Sequence, residues 1–231
     1  GYEHWFWDDT NYPSRSVQGF HSKDELELMM QRRTSLSSLK SEKINNEIVE
    51  RSYQHEAIRK VTEAFEENNE RRSLLVMATG SGKTRVTIAL VDLLMKCNWV
   101  KRVLFLADRV SLVKQASKEF GKHLKDVQVV NFLKNPDANG RIYVSTYQTI
   151  LNQINRIENN QRKFGIGYFD LVVVDEAHRS IYSKYKGIFQ YFDSYLVGLT
   201  ATPKDEVDRN TYSLFQRENQ DPTFAFGLEE A

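Results

Sequence analysis

Ser73-Leu74-Leu75-Val76-Met77-Ala78-Thr79-Gly80-Ser81-Gly82-Lys83-Thr84 decides the fold: an apolar run of strand length breaks into a glycine-rich turn that opens onto a helical pattern. The run is continuous rather than alternating, the mark of a strand buried on both faces of a parallel sheet. The turn carries the G-x-G-K-T core of a phosphate-binding loop. An oligophosphate needs several backbone N–H groups converging on it. Glycines reach the conformations this requires, and the following helix N-terminus adds a favourable dipole. On this reading Thr79, Gly80, Ser81 and Gly82 cradle the phosphates of ATP, Lys83 reaches the β- and γ-phosphates, and Thr84 offers its hydroxyl to Mg²⁺. The longer pattern G-x-x-x-x-G-K-[ST] asks for glycine where Met77 stands, so the match is to the shorter core.

Working outward, the pattern predicts a helix over 82–97, a strand over 102–106, a helix over 109–120, strands over 127–132 and 142–145, a helix over 147–157, and strands over 171–174 and 196–199. Upstream, Ala57, Ile58, Val61, Ala64 and Phe65 recur at helical spacing. Strands separated by helices mean βαβ units with right-handed crossovers, hence an α/β domain in three layers around a parallel sheet.

Residues 1–50 differ in texture. Tyr2, Trp5, Phe6 and Trp7 open them, Asn11-Tyr12-Pro13-Ser14 reads as a turn, and Ser22 with Glu25 has capping-box spacing for a short helix. Leu26, Met29 and Met30 give that helix an apolar stripe before Arg32 and Arg33 close it. Residues 34–50 are too polar for a core element and read as a linker or arm. The tail after Pro203 is polar and lacks strong periodicity. The expected division is an N-terminal extension over 1–50, an ATP-binding domain over 51–203 and a linker over 204–231.

Composition narrows the function classes. The 231 residues are 40% hydrophobic and 27% charged, which excludes disordered, collagenous and coiled-coil chains. With 32 Lys+Arg against 31 Asp+Glu, no whole-chain basic field exists, so any polyanion is met locally. No apolar run approaches the roughly 20 residues of a membrane-spanning helix, and no signal-peptide pattern opens the chain, which reads as cytoplasmic. The single cysteine, Cys97, reads as a packing residue.

Val172-Val173-Val174-Asp175-Glu176-Ala177-His178 is a second apolar strand, ending in paired carboxylates. Adjacent groups at a strand's carboxyl end serve two roles at once. Asp175 would hold Mg²⁺, Glu176 would polarise a water attacking the γ-phosphate, and His178 would sense that phosphate. Chance places G-x-G-K-T in such a chain on the order of 0.5% of the time and D-E-A-H on the order of 0.1%. Thr200 and Thr202 end another apolar strand and would couple hydrolysis to movement. Gln54, at the start of the helix before the loop, carries an amide able to pair with adenine. Arg109, Ser111 and Gln115 stand at a strand-to-helix turn, and Thr146 repeats that geometry. Either turn is a nucleic-acid phosphate contact or a capped helix start without ligand. Pro136-Asp137 with Gln161-Arg162-Lys163 has the form of a nuclease motif, but the triplet sits in a polar run and reads as a solvated loop. The five histidines show no metal-ligand spacing.

Together, Tyr53-Gln54, the 78–84 loop, 107–115, 145–149, 175–178 and 200–203 resemble motifs Q, I, Ia, Ib, II and III of superfamily 2 helicases and translocases. The extended forms Ala107-Asp108-Arg109, Asp175-Glu176-Ala177-His178-Arg179-Ser180 and 198–205 are most similar to the motor subunit of type I restriction enzymes. Trp5-Phe6-Trp7-Asp8 with Gly19-Phe20 resembles that family's segment leading out of its nuclease. Asp208-Arg209-Asn210-Thr211-Tyr212 and 227–231 resemble the segment leading into its second motor domain.

The resemblance implies the first RecA-like P-loop NTPase domain of an ATP-dependent DNA translocase, with ATP and Mg²⁺ as cofactors. Its implied partners are duplex DNA and the modification (methyltransferase) and specificity subunits, in a prokaryotic cytoplasm and without a membrane. Hydrolysis in that family needs arginines from a second RecA-like domain, and no Q-x-x-R-x-x-R pattern occurs here. Little turnover by the isolated chain is therefore expected. The alternatives are another superfamily 2 helicase, acting on RNA or in repair, and an ATP-binding scaffold without motor activity.

Overall fold

The computed structural model describes residues 3–8, 12–158, 161–177, 179–202, 204–217 and 219–227, without the side chains of Glu158, Gln161, Arg179, Ser180, Ile181, Tyr182 and Asp205. The elements in chain order are β1 (His4–Phe6), β2 (Arg15–Val17), α1 (Lys23–Ser35), α2 (Ser52–Glu66), β3 (Arg72–Met77), α3 (Lys83–Lys96), β4 (Val103–Ala107) and α4 (Val110–His123). They continue with β5 (Val129–Asn131), β6 (Ile142–Thr146), α5 (Tyr147–Ile154), β7 (Ile157–Glu158), β8 (Gln161–Arg162), β9 (Leu171–Asp175), α6 (Arg179–Tyr191) and β10 (Tyr195–Thr200). A 3-10 turn (Lys204–Glu206), α7 (Arg209–Leu214) and β11 (Phe224–Phe226) follow.

Seven strands form one sheet in the order β11-β3-β10-β9-β4-β6-β5, and every pair in it is parallel. Alternate side chains feed two apolar layers. Leu75, Phe105, Val173 and Val197 pack with α2, α3 and α4 on one face. Leu74, Leu104, Val172 and Leu196 pack with α5, α6 and α7 on the other. This is the three-layer α/β arrangement that continuous apolar runs dictate, because a strand covered on both faces has no polar side to show. The strands at both edges are only three residues long, which limits unpaired backbone.

The differences from expectation lie outside these runs. The capping box of α1 forms as its sequence signals. Its stripe does not reach the core: Leu26 is 40% exposed and Met30 65%, and only Glu25 of the helix is buried. Residues 34–50, expected to be too polar for a core element, contribute Leu39, Ile44, Ile48 and Val49 to the layer that holds α2 and α3. Polar anchors make that possible. Arg59 donates to the carbonyls of Leu39 and Glu42, the Glu66 carboxylate accepts from the N–H groups of Leu39 and Lys40, and the Trp99 indole donates to Ser37. The polar tail supplies β11, a sheet strand. Gln161-Arg162 forms a two-residue ladder with Ile157-Glu158 rather than a free loop, and Lys163 pairs with Asp137. That aspartate is 93% exposed, so the pair is a surface contact. Cys97 is fully buried, as expected of a packing residue.

A charge cluster ties the extension to the base of the sheet. Asp193, just before β10, accepts two hydrogen bonds from Arg15 of β2, one from Arg71 and one across from His21. Burial opposes ionisation of Asp193, but the His21 hydrogen bond and the Arg71 and Arg15 charges outweigh it and hold its carboxyl well below the usual range. Burial likewise opposes protonation of His21, and its hydrogen bond to Asp193 and the Glu25 carboxylate 3.7 Å away reverse that and raise its pKa.

The stability contributed by Asp193 is present above the unfolded carboxylate value of about 4 and is lost as pH falls. That of His21 is present below about 6.5 and is lost as pH rises through its raised folded value. Asp193→Asn should cost about 2 to 4 kcal/mol at pH 6, because it removes the charge that half-buried Arg15, Arg71 and His21 share. In urea titrations across pH 2 to 8 the gap to the wild type should narrow below about pH 3.

Candidate functional site

The site is built at the carboxyl edge of three adjacent strands. In the middle strand, Thr200 of β10 stands in register with Val76 of β3, and Leu199 with Asp175 of β9. The loop after β3, the Thr200 turn and the acidic pair therefore leave the sheet side by side.

After Met77 the chain makes a closed turn. The Ser81 N–H and hydroxyl both bond the Ala78 carbonyl, at 3.2 and 2.7 Å. Gly80 and Gly82 have φ of +81° and +89°, a region closed to ordinary side chains, and Gly82 caps α3. Lys83 Nζ donates to the Met77 carbonyl at 3.2 Å. The Ser81 carbonyl accepts from the Tyr53 hydroxyl at 2.9 Å and from Gln54 Nε2 at 3.0 Å. A trans peptide turns its N–H opposite to its C=O. Fixing this carbonyl towards α2 thus aims the Gly82 N–H away from α2. A Cβ on Gly82 would stand 2.5 Å from Gln54 Nε2, a second reason for glycine there.

Gln54, read from sequence as an adenine contact, is 5% exposed, and its Oε1 accepts from the N–H groups of Glu50 and Arg51. Both ends of its amide already hold backbone, so it braces the loop.

Asp175 ends β9 half-buried, and burial first, then the neighbouring Glu176 carboxylate, push its pKa up to about 6 against the opposing Lys83 charge. A carboxyl so placed gains from a cation. Glu176 has φ of +56°, a conformation unusual for a residue with a Cβ. The turn is held by the Ala177 N–H on the Leu199 carbonyl at 2.8 Å and by the Tyr147 hydroxyl on the Asp175 carbonyl at 2.6 Å. His178 lies outside the described residues. Thr200 is fully buried, and its hydroxyl accepts from the Thr202 N–H at 3.1 Å, which shapes the exit turn.

The next strands along the same edge are β4 and β6, with Ala107 opposite Thr146. Arg109, Ser111 and Gln115 are exposed on the first turns of α4, whose start has no side-chain cap. Thr146 is different: it is 9% exposed and caps α5, its hydroxyl accepting from the Thr149 N–H and bonded to the Thr149 hydroxyl. Sequence reasoning missed Tyr147 and Phe226. Phe226 stacks on Tyr53 with centroids 3.9 Å apart, and the only available signal was the Phe-Ala-Phe alternation in a polar tail.

Comparison with known proteins gives the chain's family and fold. The family model described as "Type III restriction enzyme, res subunit" matches residues 47–205. Over 191 residues the chain is 36% identical to the type I restriction enzyme EcoAI endonuclease subunit of Escherichia coli, covering 78% of this chain and 22% of that protein. It is 33% identical to the EcoKI endonuclease subunit of Escherichia coli strain K12, covering 66% of this chain and 15% of that protein. The chain thus spans about a fifth of the first relative's length. Two solved structures share its fold. A fragment assigned to the HsdR subunit of a type I restriction enzyme from Vibrio vulnificus superposes with a TM-score of 0.56 at 24% identity, covering 93% of this chain and 38% of that one. The Sulfolobus solfataricus SWI2/SNF2 ATPase core superposes with a TM-score of 0.57 at 21% identity, covering 73% of this chain and 36% of that one. The seven-stranded parallel sheet with helices on both faces is accordingly the RecA-like fold that these two structures share. With the family model covering most of its length, the chain belongs to the family described as type III restriction enzyme, res subunit, and endonuclease subunits of type I restriction enzymes are among its relatives.

Proposed function

We propose that this chain is the first motor domain of a type I restriction enzyme's DNA translocase. It binds Mg-ATP at the β3, β10 and β9 edge and duplex DNA at the neighbouring β4 and β6 edge. The observation that carries the reading is this order along one sheet edge: the loop, the Thr200 turn and the acidic pair on adjacent strands, then the two candidate DNA turns on the next two.

The residues fit the cofactor. Two positive-φ glycines and a peptide fixed by Tyr53 and Gln54 present N–H groups to an anion, and Lys83 rests on a neutral carbonyl that it can leave for phosphate. Thr84 and Asp175 are hard oxygen donors of the kind Mg²⁺ selects, and Asp175 lies where a cation relieves its repulsion with Glu176. When bound, Mg²⁺ neutralises charge on the β- and γ-phosphates. Lys83 holds the same phosphates, Glu176 orients the attacking water and takes its proton, and His178 senses the γ-phosphate. Gln54 contacts adenine in this proposal only by giving up part of its hold on the backbone. Thr200 and Thr202, on the strand between loop and acidic pair, relay phosphate loss to the DNA edge.

Arg109, Ser111 and Gln115 hold the phosphate backbone, with Thr146 shaping the neighbouring turn. Arginines from a second RecA-like domain complete the hydrolytic site. Their absence is worth about 10³ to 10⁵ in rate in related phosphoryl transfers. Modification and specificity subunits supply site recognition, in the cytoplasm of a prokaryote.

In the isolated chain, Lys83→Ala should weaken Mg-ATP binding about 10- to 100-fold, the worth of a charge-assisted hydrogen bond, while Glu176→Gln binds like the wild type. In the complete restriction complex both substitutions should abolish ATP-dependent translocation, and translocation surviving in either one sinks the assigned role. Arg109→Ala should weaken duplex DNA binding equally across sequences and reduce the salt slope by about one. Stimulation of ATP hydrolysis by RNA in preference to duplex DNA would favour a different helicase of the superfamily.

A further inference from the structure

The segment after the last motif returns to the sheet and grips the phosphate loop, with Phe224 and Phe226 buried in the apolar layer that holds α2 and α3. β11 is an edge strand of three residues, pairing with Leu75, Val76 and Met77 of β3. Its grip extends one residue past the strand: the Ala78 N–H donates to the Phe226 carbonyl at 3.1 Å, at the point where the loop leaves β3. At the other end of the loop, the Phe226 ring stacks on Tyr53 at 3.9 Å with 13° between planes. The Tyr53 hydroxyl is the middle of a polarised chain, accepting from Arg51 Nη1 at 2.9 Å and donating to the Ser81 carbonyl at 2.9 Å. One residue of the tail therefore touches the first residue of the loop through its backbone, and through Tyr53 the peptide that aims the Gly82 N–H. Thr223 anchors the approach, its hydroxyl accepting from the Leu74 N–H at 3.0 Å and from Arg217 at 2.7 Å.

We propose that Tyr53 and Phe226 are positioning residues for nucleotide binding, and that docking of β11 sets the affinity of the phosphate loop. The Ser81–Gly82 peptide has two states, one with its N–H presented to an anion and one with it turned away. The Tyr53 hydroxyl favours the first only while its ring is clamped by Phe226. Because coupling between two sites is reciprocal, bound nucleotide holds β11 on the sheet by the same factor by which β11 tightens nucleotide. Whatever follows Gly227 thereby gains a handle on the loop without contacting nucleotide. The inference rests on the reading of this loop as the nucleotide site.

The test is titration of this chain with a fluorescent non-hydrolysable ATP analogue and Mg²⁺, alongside thermal melting and amide hydrogen exchange. Tyr53→Phe keeps the stack and removes the hydroxyl, and should lower affinity about five-fold with the melting temperature unchanged. Phe226→Leu keeps the backbone ladder and should lower affinity to a similar degree, Phe226→Tyr should restore it, and the double variant should fall no further than either single one. Nucleotide should slow exchange of the Ala78 amide and of the β11 amides in the wild type and lose that effect in Phe226→Leu. A wild type that binds no Mg-nucleotide overturns the site reading itself. A wild type that binds, with folded variants of equal affinity, overturns the latch alone. Additive losses, or lower melting temperature without an affinity change, assign these residues a purely structural role and overturn it equally.

Discussion

The parallel register of β3, β10 and β9 is the constraint from which the rest follows. These strands are buried on both faces, so one residue of slip would exchange the two apolar layers wholesale, and the hydrophobic pattern forbids it. With Val76, Thr200, Leu199 and Asp175 locked in rows, the loop, the buried threonine and the carboxylate emerge at one level. Nothing in the local chemistry of the loop would place an acidic pair beside it. The core does this, and the helices on either face exist to keep those strands dry.

A second consequence of that burial is that the site begins strained. Asp175 is desolvated beside Glu176, Glu176 takes a left-handed backbone, and Lys83 lies on a carbonyl. The desolvated Asp175 carboxylate and the left-handed Glu176 backbone each cost the domain stability, while Lys83 is held by an ordinary hydrogen bond. The strain is tolerated because the turn is held from three directions, by Tyr147, by Leu199 and by the β9 ladder itself.

Legibility followed the same physics. The unalternated runs at 73–77, 102–106 and 171–174 showed in sequence because a strand with no solvent face has no polar residues to blur it. The loop and the acidic pair showed because few residue types can make a turn with two positive-φ positions or end a buried strand in adjacent carboxylates. What escaped were segments whose burial depends on distant partners. Leu39, Ile44, Ile48 and Val49 are four apolar residues scattered in a polar stretch, buried only because Arg59, Glu66 and Trp99 satisfy its backbone. Phe224–Phe226 is too short for periodicity to register and becomes a strand by addition to an existing edge. Gln54 shows a subtler limit. Its position was legible, but its present partners, the Ser81 carbonyl and two backbone N–H groups, could be known only once the loop had a shape. The reading of α1 failed in the opposite direction, since of its apolar stripe Leu26 and Met30 stay exposed and only Met29 is partly covered.

The chain holds one cysteine, fully buried at the end of α3, with its thiol donating to the Ser38 carbonyl. Burial and the nearby Glu42 and Glu66 carboxylates push that thiol's pKa up. Thiolate is the reactive form, so Cys97 is shielded by position and by protonation from alkylating reagents and oxidants. For optical work the wild-type sequence is therefore a ready background: maleimide dyes attached to cysteines introduced at the loop and at β11 would report distances with little competition from the native thiol.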